Sequence, residues 1–400
     1  MTKQANYAEP YEPNLTQALD LVMELMRIAG PSCHEALVAD RIHAKLRAVG
    51  LPAEWIFTDN AHEQSPAGGD TGNLIVRLPG TIRGPRRLLM AHLDTVPICV
   101  GSQPVRIGDY IETANPVAGL GADNRSGVAV LLNTLLEIVE RKMPHPPLTF
   151  LWTVQEELGL FGSRFVDKRL LGKPRMAWNW DGRGPHRITL AATGGHNLVI
   201  KIHGIASHAG GSPERGVSAI GIAGLALHKI FSQGWHGDIQ RGKRHGTCNL
   251  GIIQGGESTN TVTDFVEIKG ECRSYDPRFR QTIIGHLERA FKHAATMLKN
   301  DEGQSGRVEF FSEVEYESFR IGENEPCIQA VQAVIRGLGM EPELLTTNSA
   351  LDANWMNFHG IPTATLGAGQ VYGHSVRECM DIEQFETACR VALRLATGMG

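Results

Sequence analysis

The sequence predicts an α/β protein with a discontinuous main domain and a smaller inserted α+β domain. Up to about residue 193, short apolar strands alternate with helical segments, as expected for a mostly parallel sheet flanked by helices. From residue 194 to about 316 the strands alternate polar and apolar residues, which is typical of a sheet with one solvated face. The first pattern then returns. We therefore expect a main domain of residues 1–193 and 317–400 and an insert of residues 194–316.

The elements of the main domain follow from periodicity and from glycine and proline breakers. Residues 14–49 predict two amphipathic helices separated by Gly30-Pro31-Ser32. A third helix is predicted at 126–142, where Val128, Leu131 and Leu135 recur at helical spacing. Branched or continuous apolar runs predict strands at 74–78, 87–92, 148–155, 176–180 and 363–366. Two further helices are expected at 326–338 and 382–397.

The insert is predicted as a two-layer sandwich of helices on a sheet. Its expected strands are 197–203, 246–253 and 263–273, and its expected helices are 219–231 and 281–298. Two helices covering one face of a sheet leave the other face to solvent.

Composition excludes several classes of function. The chain has 39 basic and 43 acidic residues, a formal net charge of -4, and no strongly basic half, so no nucleic-acid partner is expected. The first ten residues lack the apolar stretch of a secretory signal, and no run of about 18 apolar residues predicts a membrane span. The seven cysteines are odd in number and contain no Cys-x-x-Cys pair. We interpret them as reduced thiols of a cytoplasmic protein.

Acidic and histidine residues stand at five places along the chain, four of them after predicted strands and one, Asp123, in the glycine-bounded loop before the helix predicted from 126. The carboxyl edge of an open α/β sheet is where such folds build their sites. Carboxylates gathered there repel one another unless cations lie between them, so we expect two divalent ions. Mixed imidazole and carboxylate ligands favour zinc, with manganese or cobalt as alternatives. The residues are His92 with Asp94, Asp123, Glu156 with Glu157, Asp181, and His374.

Each of these residues taken alone has a simpler interpretation. Glu156 and Glu157 are compatible with a solvated strand end, Asp123 with a helix N-cap, and Asp181 with a turn. Five such coincidences at one edge are far less economical than one metal site. Asp94 lies two residues after His92, on the same side of an extended chain, and is expected to orient the imidazole.

Long motifs then connect the chain with a known family. The main domain contains HLDTVP from position 92, GADNRSG from 121, TVQEELGLFGS from 153 and GHSVRE from 373. The insert contains GIASHAGGSPERGVSAI from 204, TCNLGIIQGGESTN from 247 and GECRSYDP from 270. From about residue 18 to its end, the chain resembles the co-catalytic metallopeptidases that include peptidase T, aminoacylases and glutamate carboxypeptidases. It looks closest to the peptidase T-like members.

This resemblance implies a role for each matching residue. His92 and Asp181 would bind one metal, Glu157 and His374 would bind the other, and Asp123 would bridge them. Glu156 would act as the general base toward a water shared by the metals.

In the insert the resemblance implies substrate contacts and a lid. His208 would reach the oxyanion, often across a dimer interface. Asn260 and Arg273 would anchor a substrate carboxylate or backbone. A homodimer formed through the insert is expected on the same ground.

The resemblance also bears on the substrate class. Asp at position 181 accompanies aminopeptidases and dipeptidases in this family, which favours a di- or tripeptide aminopeptidase. An N-acyl amino acid amidohydrolase or carboxypeptidase remains an alternative, as does an inactive metal-stabilised binding protein. The retained Glu156 argues against the last. Ser349 and Ala350 stand where the family usually has glycines, which leaves the substrate class open.

Overall fold

The computed structural model describes residues 11–398, which divide into two compact units. Unit 1 runs to Ala191 and continues through Arg320–Thr347 and from Leu351 onward, whereas unit 2 comprises Ala192–Phe319 and Asn348–Ala350. Unit 2 thus begins two residues before the predicted insert, ends three residues after it, and gains a short separate segment. The first ten residues, from which no secretory signal was predicted, lie outside the described part.

Helices and strands alternate along the described chain. The α-helices are α1 (Leu15–Met26), α2 (Ala36–Ala48), α3 (Ala61–Gln64), α4 (Ala122–Glu140), α5 (Phe161–Arg164), α6 (Ala219–Ser232), α7 (Pro277–Met297), α8 (Pro326–Gly337), α9 (Asp352–Phe358) and α10 (Ile382–Thr397). The strands are β1 (Ile56–Thr58), β2 (Leu74–Leu78), β3 (Arg87–His92), β4 (Pro104–Ile107), β5 (Tyr110–Thr113), β6 (Leu148–Thr153), β7 (Met176–Trp180), β8 (Arg187–Ala192), β9 (Gly194–His203), β10 (Gly237–Arg241), β11 (Arg244–Gly255), β12 (Phe265–Ser274), β13 (Arg307–Tyr316), β14 (Phe319–Arg320), β15 (Glu343–Thr347), β16 (Thr363–Leu366), β17 (Gln370–Val371) and β18 (Cys379–Asp381).

The large sheet of unit 1 has the strand order β1-β2-β6-β3-β7-β16-β8-β14, with β15 paired to β8. Its four central strands, β6, β3, β7 and β16, are mutually parallel, whereas β2 and β8 join them antiparallel. The expected α/β class, with a large sheet flanked by helices, is confirmed, but the sheet is mixed, and its parallel part consists of the four central strands. All four central strands therefore end at the same edge.

Burial explains why the central strands have continuous apolar sequences. Every residue of β6 is buried, and Trp152 on β6 and Trp178 on β7, the strands on either side of β3, are fully buried. Helix α4 packs against β3 as well as against α1 and α10, and most of its length is buried. A strand covered by helices on both faces has no solvated side, so its sequence does not alternate.

Unit 2 contains a five-stranded antiparallel sheet in the order β10-β11-β12-β9-β13. Helices α6 and α7 pack on this sheet, and the core between them includes Ile200, Ile222 and Phe291. Along β9 buried and less buried positions alternate, as the alternating sequence predicts. The predicted start of the second helix at 281 was wrong: α7 begins at Pro277, because the Asp276 side chain caps the first turn.

Other differences concern strands. The strand predicted at 148–155 ends at Thr153, since Gln155 adopts a positive φ of 55° and the chain turns there. We did not predict the strands β8, β10 and β13, nor the four-stranded sheet β17-β18-β5-β4. Strands depend on partners that are distant in sequence, and local patterns therefore identify them poorly, including the ten-residue β13.

The seven cysteines are free, and five of them are buried. No helix within residues 11–398 has the length and apolar character needed to cross a membrane.

Candidate metal centre

The carboxyl edge of the central strands gathers the residues that the sequence predicted as ligands. His92 ends β3, Glu156 and Glu157 follow β6, and Asp181 follows β7. His374 lies in the loop between β17 and β18, further along the chain from β16. Asp123 stands at the beginning of α4, where the backbone is not yet helical and the peptide bond to Asn124 is cis.

His92 is the buried centre of the cluster. Its Nε2 atom lies 3.2 Å from Asp123 Oδ1 and 4.0 Å from Asp181 Oδ1. Its other nitrogen, Nδ1, lies 3.1 Å from the main-chain oxygen of Asp94 and 3.3 Å from Asp94 Oδ1. Asp94 therefore holds the ring so that Nε2 faces the other carboxylates.

His374 approaches the same carboxylate from the opposite side. Its Nε2 atom lies 3.3 Å from Asp123 Oδ2 and 2.9 Å from Glu157 Oε1. The two oxygens of Asp123 thus face two different imidazoles. His374 is half exposed, whereas His92 is buried.

Two overlapping groups of three side chains are close enough to hold an ion. In each group the potential ligand atoms lie within 4.8 Å of one another: His92, Asp123 and Glu157 form one, and His92, Glu156 and Asp181 form the other. His92 belongs to both groups, and Glu156 belongs to one. The resemblance instead assigns His92 to a single metal and excludes Glu156 from ligation.

Among the protein groups alone, the carboxylates are in electrostatic conflict. Burial, reinforced by the charges of Asp181 and Asp352, raises the pKa of Glu156 well above its usual value. Burial and then the charge of Asp123 raise the pKa of Asp181 to about 7. Burial also raises the pKa of Glu157. The acids are too crowded to ionise together without added positive charge.

The two imidazoles show the complementary effect. Burial would raise the pKa of Asp123, but the imidazoles of His374 and His92 beside it lower that pKa below its usual value. Those contacts with Asp123 and Glu157 raise the pKa of His374 to about 10. Without metal ions, protonated histidines would therefore supply the positive charge that bound cations supply in a metal site.

The chemistry of the donors fits divalent cations. Asp123 Oδ1 is buried and has no hydrogen-bond partner among the described residues, although His92 Nε2 is near. Within residues 11–398, the ion pairs of Asp123, Glu157 and Asp181 involve histidines only and no lysine or arginine. A buried carboxylate oxygen without a donor requires a cation or a proton.

The predicted substrate residues lie in unit 2. His208 and Asn260 occupy neighbouring exposed loops, linked by an Ala209 N–H to Asn260 oxygen hydrogen bond of 2.8 Å. The N–H groups of Gly210 and Gly211 donate to His208 Nδ1 at 3.1 and 2.9 Å, which leaves Nε2 as the outward nitrogen.

Arg273 lies on β12, apart from those loops in sequence. It pairs with Glu271 at 2.7 Å and donates to the main-chain oxygen of Asn348 at 3.3 Å. Its Nε is buried and has no hydrogen-bond partner among the described residues. The segment with Ser349 and Ala350 thus borders Arg273, and its effect on the substrate class stays a prediction.

Comparison with known proteins decides the family. The model of peptidase family M20/M25/M40 matches residues 88–398, which is most of the chain. The chain belongs to this family. The match includes every residue that was predicted as a ligand, and the family makes the protein a metallopeptidase, as predicted.

Relatives of this peptidase span nearly its full length. An uncharacterised protein, YqjE of Bacillus subtilis (strain 168), is 31% identical over 372 residues, which cover 93% of this chain and 95% of the relative. A tripeptidase (SAV1512) of Staphylococcus aureus has a solved structure with a TM-score of 0.87 and 28% identity, covering 97% and 99% of the two chains. Aminopeptidase PepT of Bacillus cereus ATCC 10987 gives a TM-score of 0.84 at 27% identity with the same coverage.

Three buried acids of this metallopeptidase escaped the sequence analysis. Glu378 accepts the N–H groups of Gly121 and Asp123 at 2.6 and 2.8 Å, and burial raises its pKa to about 7. Asp352 accepts the Thr153 hydroxyl, and Glu35 accepts the Gln155 N–H. Glu378 stands in the GHSVRE motif and was detectable there, whereas no local pattern distinguished Glu35.

Proposed function

We propose that this metallopeptidase is a two-metal aminopeptidase that removes the N-terminal residue from di- and tripeptides. The observation that carries the proposal is the position of Asp123 between two imidazoles. Oδ1 faces His92 at 3.2 Å and Oδ2 faces His374 at 3.3 Å. A carboxylate with a different partner on each oxygen is suited to bridge two ions.

The ligand assignment follows the contacts and the family pattern. His92 and Asp181 would hold one ion, and Glu157 and His374 would hold the other. Asp94 contacts His92 through Nδ1 and serves to orient it. The mixture of imidazole and carboxylate ligands favours Zn²⁺, with Mn²⁺ or Co²⁺ as alternatives.

The chemistry is divided between the ions and the protein. Bound here, the cations would polarise the scissile carbonyl and lower the pKa of a water from about 15.7 toward about 7. Glu156 then takes the proton of the attacking water and donates it to the leaving nitrogen. A carboxyl whose pKa is raised by burial is a better proton acceptor and donor near neutral pH than an exposed one.

The substrate class rests on similarity and on unit 2. The two similar solved structures are described as a tripeptidase and an aminopeptidase. His208 would stabilise the oxyanion, and Asn260 and Arg273 would anchor the backbone or carboxylate of the peptide, since a guanidinium binds a carboxylate with two parallel bonds. The homodimer through unit 2 is part of the proposal, and light scattering of the purified protein tests it.

The decisive test compares three substrate classes with the metal-loaded enzyme. Free tripeptides, N-blocked dipeptides and N-acetyl amino acids are assayed in parallel. We expect hydrolysis of the free peptides with release of the N-terminal residue. Hydrolysis of the blocked compounds alone would replace the aminopeptidase by an amidohydrolase or carboxypeptidase.

The role of Glu156 is tested by its replacement. Glu156→Ala should lower kcat at least about 10²-fold, which is the lower scale of acid–base catalysis, while metal content measured by elemental analysis stays at the wild-type level. Glu54→Ala, at an exposed glutamate of unit 1, is the control and should keep wild-type kcat. A Glu156→Ala enzyme with normal kcat contradicts the assigned role.

A further inference from the structure

The main chain of the turn that carries Glu156 and Glu157 is hydrogen-bonded to two buried carboxylates, those of Glu35 and Asp94. Three consecutive N–H groups donate to them. Gln155 N–H bonds Glu35 Oε1 at 2.9 Å, Glu156 N–H bonds Asp94 Oδ1 at 3.0 Å, and Glu157 N–H bonds Asp94 Oδ2 at 3.2 Å. The main chain at this strand end is therefore bound over three successive residues.

Glu35 occupies a position where a side chain usually caps the first turn of its own helix. It is the N-cap residue of α2, yet its side chain makes no capping hydrogen bond, although a carboxylate there commonly accepts a first-turn N–H. The side chain is fully buried and bonds a residue 120 positions further along the chain. Its second oxygen, Oε2, has no hydrogen-bond partner among the described residues. Glu35 thus contributes to the turn and not to the cap of α2.

Gln155 needs such support because of its backbone conformation. Its φ of 55° lies in the left-handed region, which residues with a β-carbon rarely adopt. The Ser65 hydroxyl donates to its Oε1, and its Nε2 donates to Gly68 oxygen. Glu35 holds the main chain of the same residue. Since this residue redirects the chain after β6, its geometry decides where the Glu156 carboxylate points, whereas the Glu157 carboxylate is also held by His374 at 2.9 Å.

We propose that Glu35 is a positioning residue that, through the Gln155 N–H, places the carboxylate of Glu156 for proton transfer. The inference rests on the proposed function, in which Glu156 is the base. Burial and the nearby Asp94 charge raise the pKa of Glu35 to about 8, and Oε1 accepts the Gln155 hydrogen bond in either protonation state. The hydrogen-bond acceptor, and not the charge, is therefore the functional part of the side chain.

Two variants of similar shape separate the acceptor from the packing. Glu35→Met fills the same space without an acceptor, and Glu35→Gln retains the oxygen. We expect Glu35→Met to lose about 10²-fold in kcat, the scale of a misplaced catalytic group, with KM and metal content unchanged. Glu35→Gln should recover most of that loss.

A matched control is available at Asp59, another buried carboxylate that accepts main-chain N–H groups. It bonds the N–H groups of Ala61, Asn73 and Asp167 and none from the Glu156 turn. Asp59→Leu should lower the melting temperature and leave kcat at the wild-type level. A general effect of losing a buried carboxylate would instead lower kcat in both variants and overturn the proposal.

The substrate used is whichever of the three classes the wild type cleaves, so a wrong substrate assignment leaves this test intact. Should Glu35→Met fail to fold, Glu35→Asp, whose carboxylate ends one methylene short, must show the same fall in kcat. Wild-type kcat in a folded Glu35→Met or Glu35→Asp variant overturns the proposal. A crystal structure of the variant decides the matter even without turnover, because an unmoved Gln155–Glu157 turn contradicts it.

Discussion

Two buried acidic sites of unit 1 differ in how their charge is satisfied. Asp59 receives four hydrogen bonds, from the N–H groups of Ala61, Asn73 and Asp167 and from the Asn73 side chain, at 2.8 to 3.1 Å. Each of its oxygens accepts two donors. The surrounding main chain thus stabilises this carboxylate without any ion.

The cluster around Asp123 has the opposite arrangement. Asp123 Oδ1 is buried without a hydrogen-bond partner among the described residues, and the carboxyls of Glu156 and Asp181 have raised pKa values because of burial and mutual repulsion. A fold tolerates such crowding only where something else brings positive charge. The two sites therefore differ in whether neighbouring N–H groups satisfy the buried carboxylates.

Metal removal should produce the largest effect. Exhaustive dialysis against a chelator should lower kcat at least about 10⁴-fold, because a water without a Lewis acid keeps its pKa near about 15.7. Re-addition of Zn²⁺ should restore activity, and the chelator already saturated with metal is the control. Full activity of protein that elemental analysis shows to be metal-free would contradict the claim that the cluster around Asp123 requires cations.

Replacement of Arg273 should have a smaller effect that depends on the substrate. Its buried Nε lacks a partner among the described residues, so a substrate carboxylate would satisfy it. Arg273→Ala should lower kcat/KM for free tripeptides about 10- to 100-fold, the range of a hydrogen bond to a charged group. The same peptides with an amidated C-terminus should show a much weaker loss. Equal losses for both series would contradict a carboxylate anchor.

The smallest expected effects are on stability, and they have opposite signs at the two sites. The pKa of Asp181 is raised from 3.8 to about 7, first by burial and then by Asp123. Between about pH 4 and pH 7 its carboxyl ionises in the unfolded protein but not in the folded one, so metal-free protein loses stability as the pH rises. Asp181→Asn removes this loss.

Denaturant titrations with chelator present, at pH 4 and pH 8, measure the difference. Asp181→Asn should be more stable than wild type at pH 8 and similar to it at pH 4. Asp59→Asn should be less stable by about 1 to 3 kcal/mol, since an accepting oxygen becomes a donor and leaves a main-chain N–H unpaired. Destabilisation by both variants at pH 8 would show that the two sites do not differ as described.

Much of the molecule was predictable because its signals are local. The apolar runs of β3 and β7 gave the correct strand limits, and the long motifs identified the family. The edge of the parallel strands was predictable as well, since strands that run the same way end together. The prediction failed at the start of α7, where a cap from Asp276 mattered more than apolar periodicity.

The sequence by itself determined which residue types stand after which strands, and therefore the kind of chemistry available at the sheet edge. Only the tertiary structure decided which of those side chains touch: that Asp123 lies between His92 and His374, and that Glu35 reaches the turn before Glu156. These contacts join residues that are tens to hundreds of positions apart. These contacts depend on the order of the strands in the sheet and on the backbone turns after them. Neither produces a repeating pattern of apolar and polar residues in the sequence.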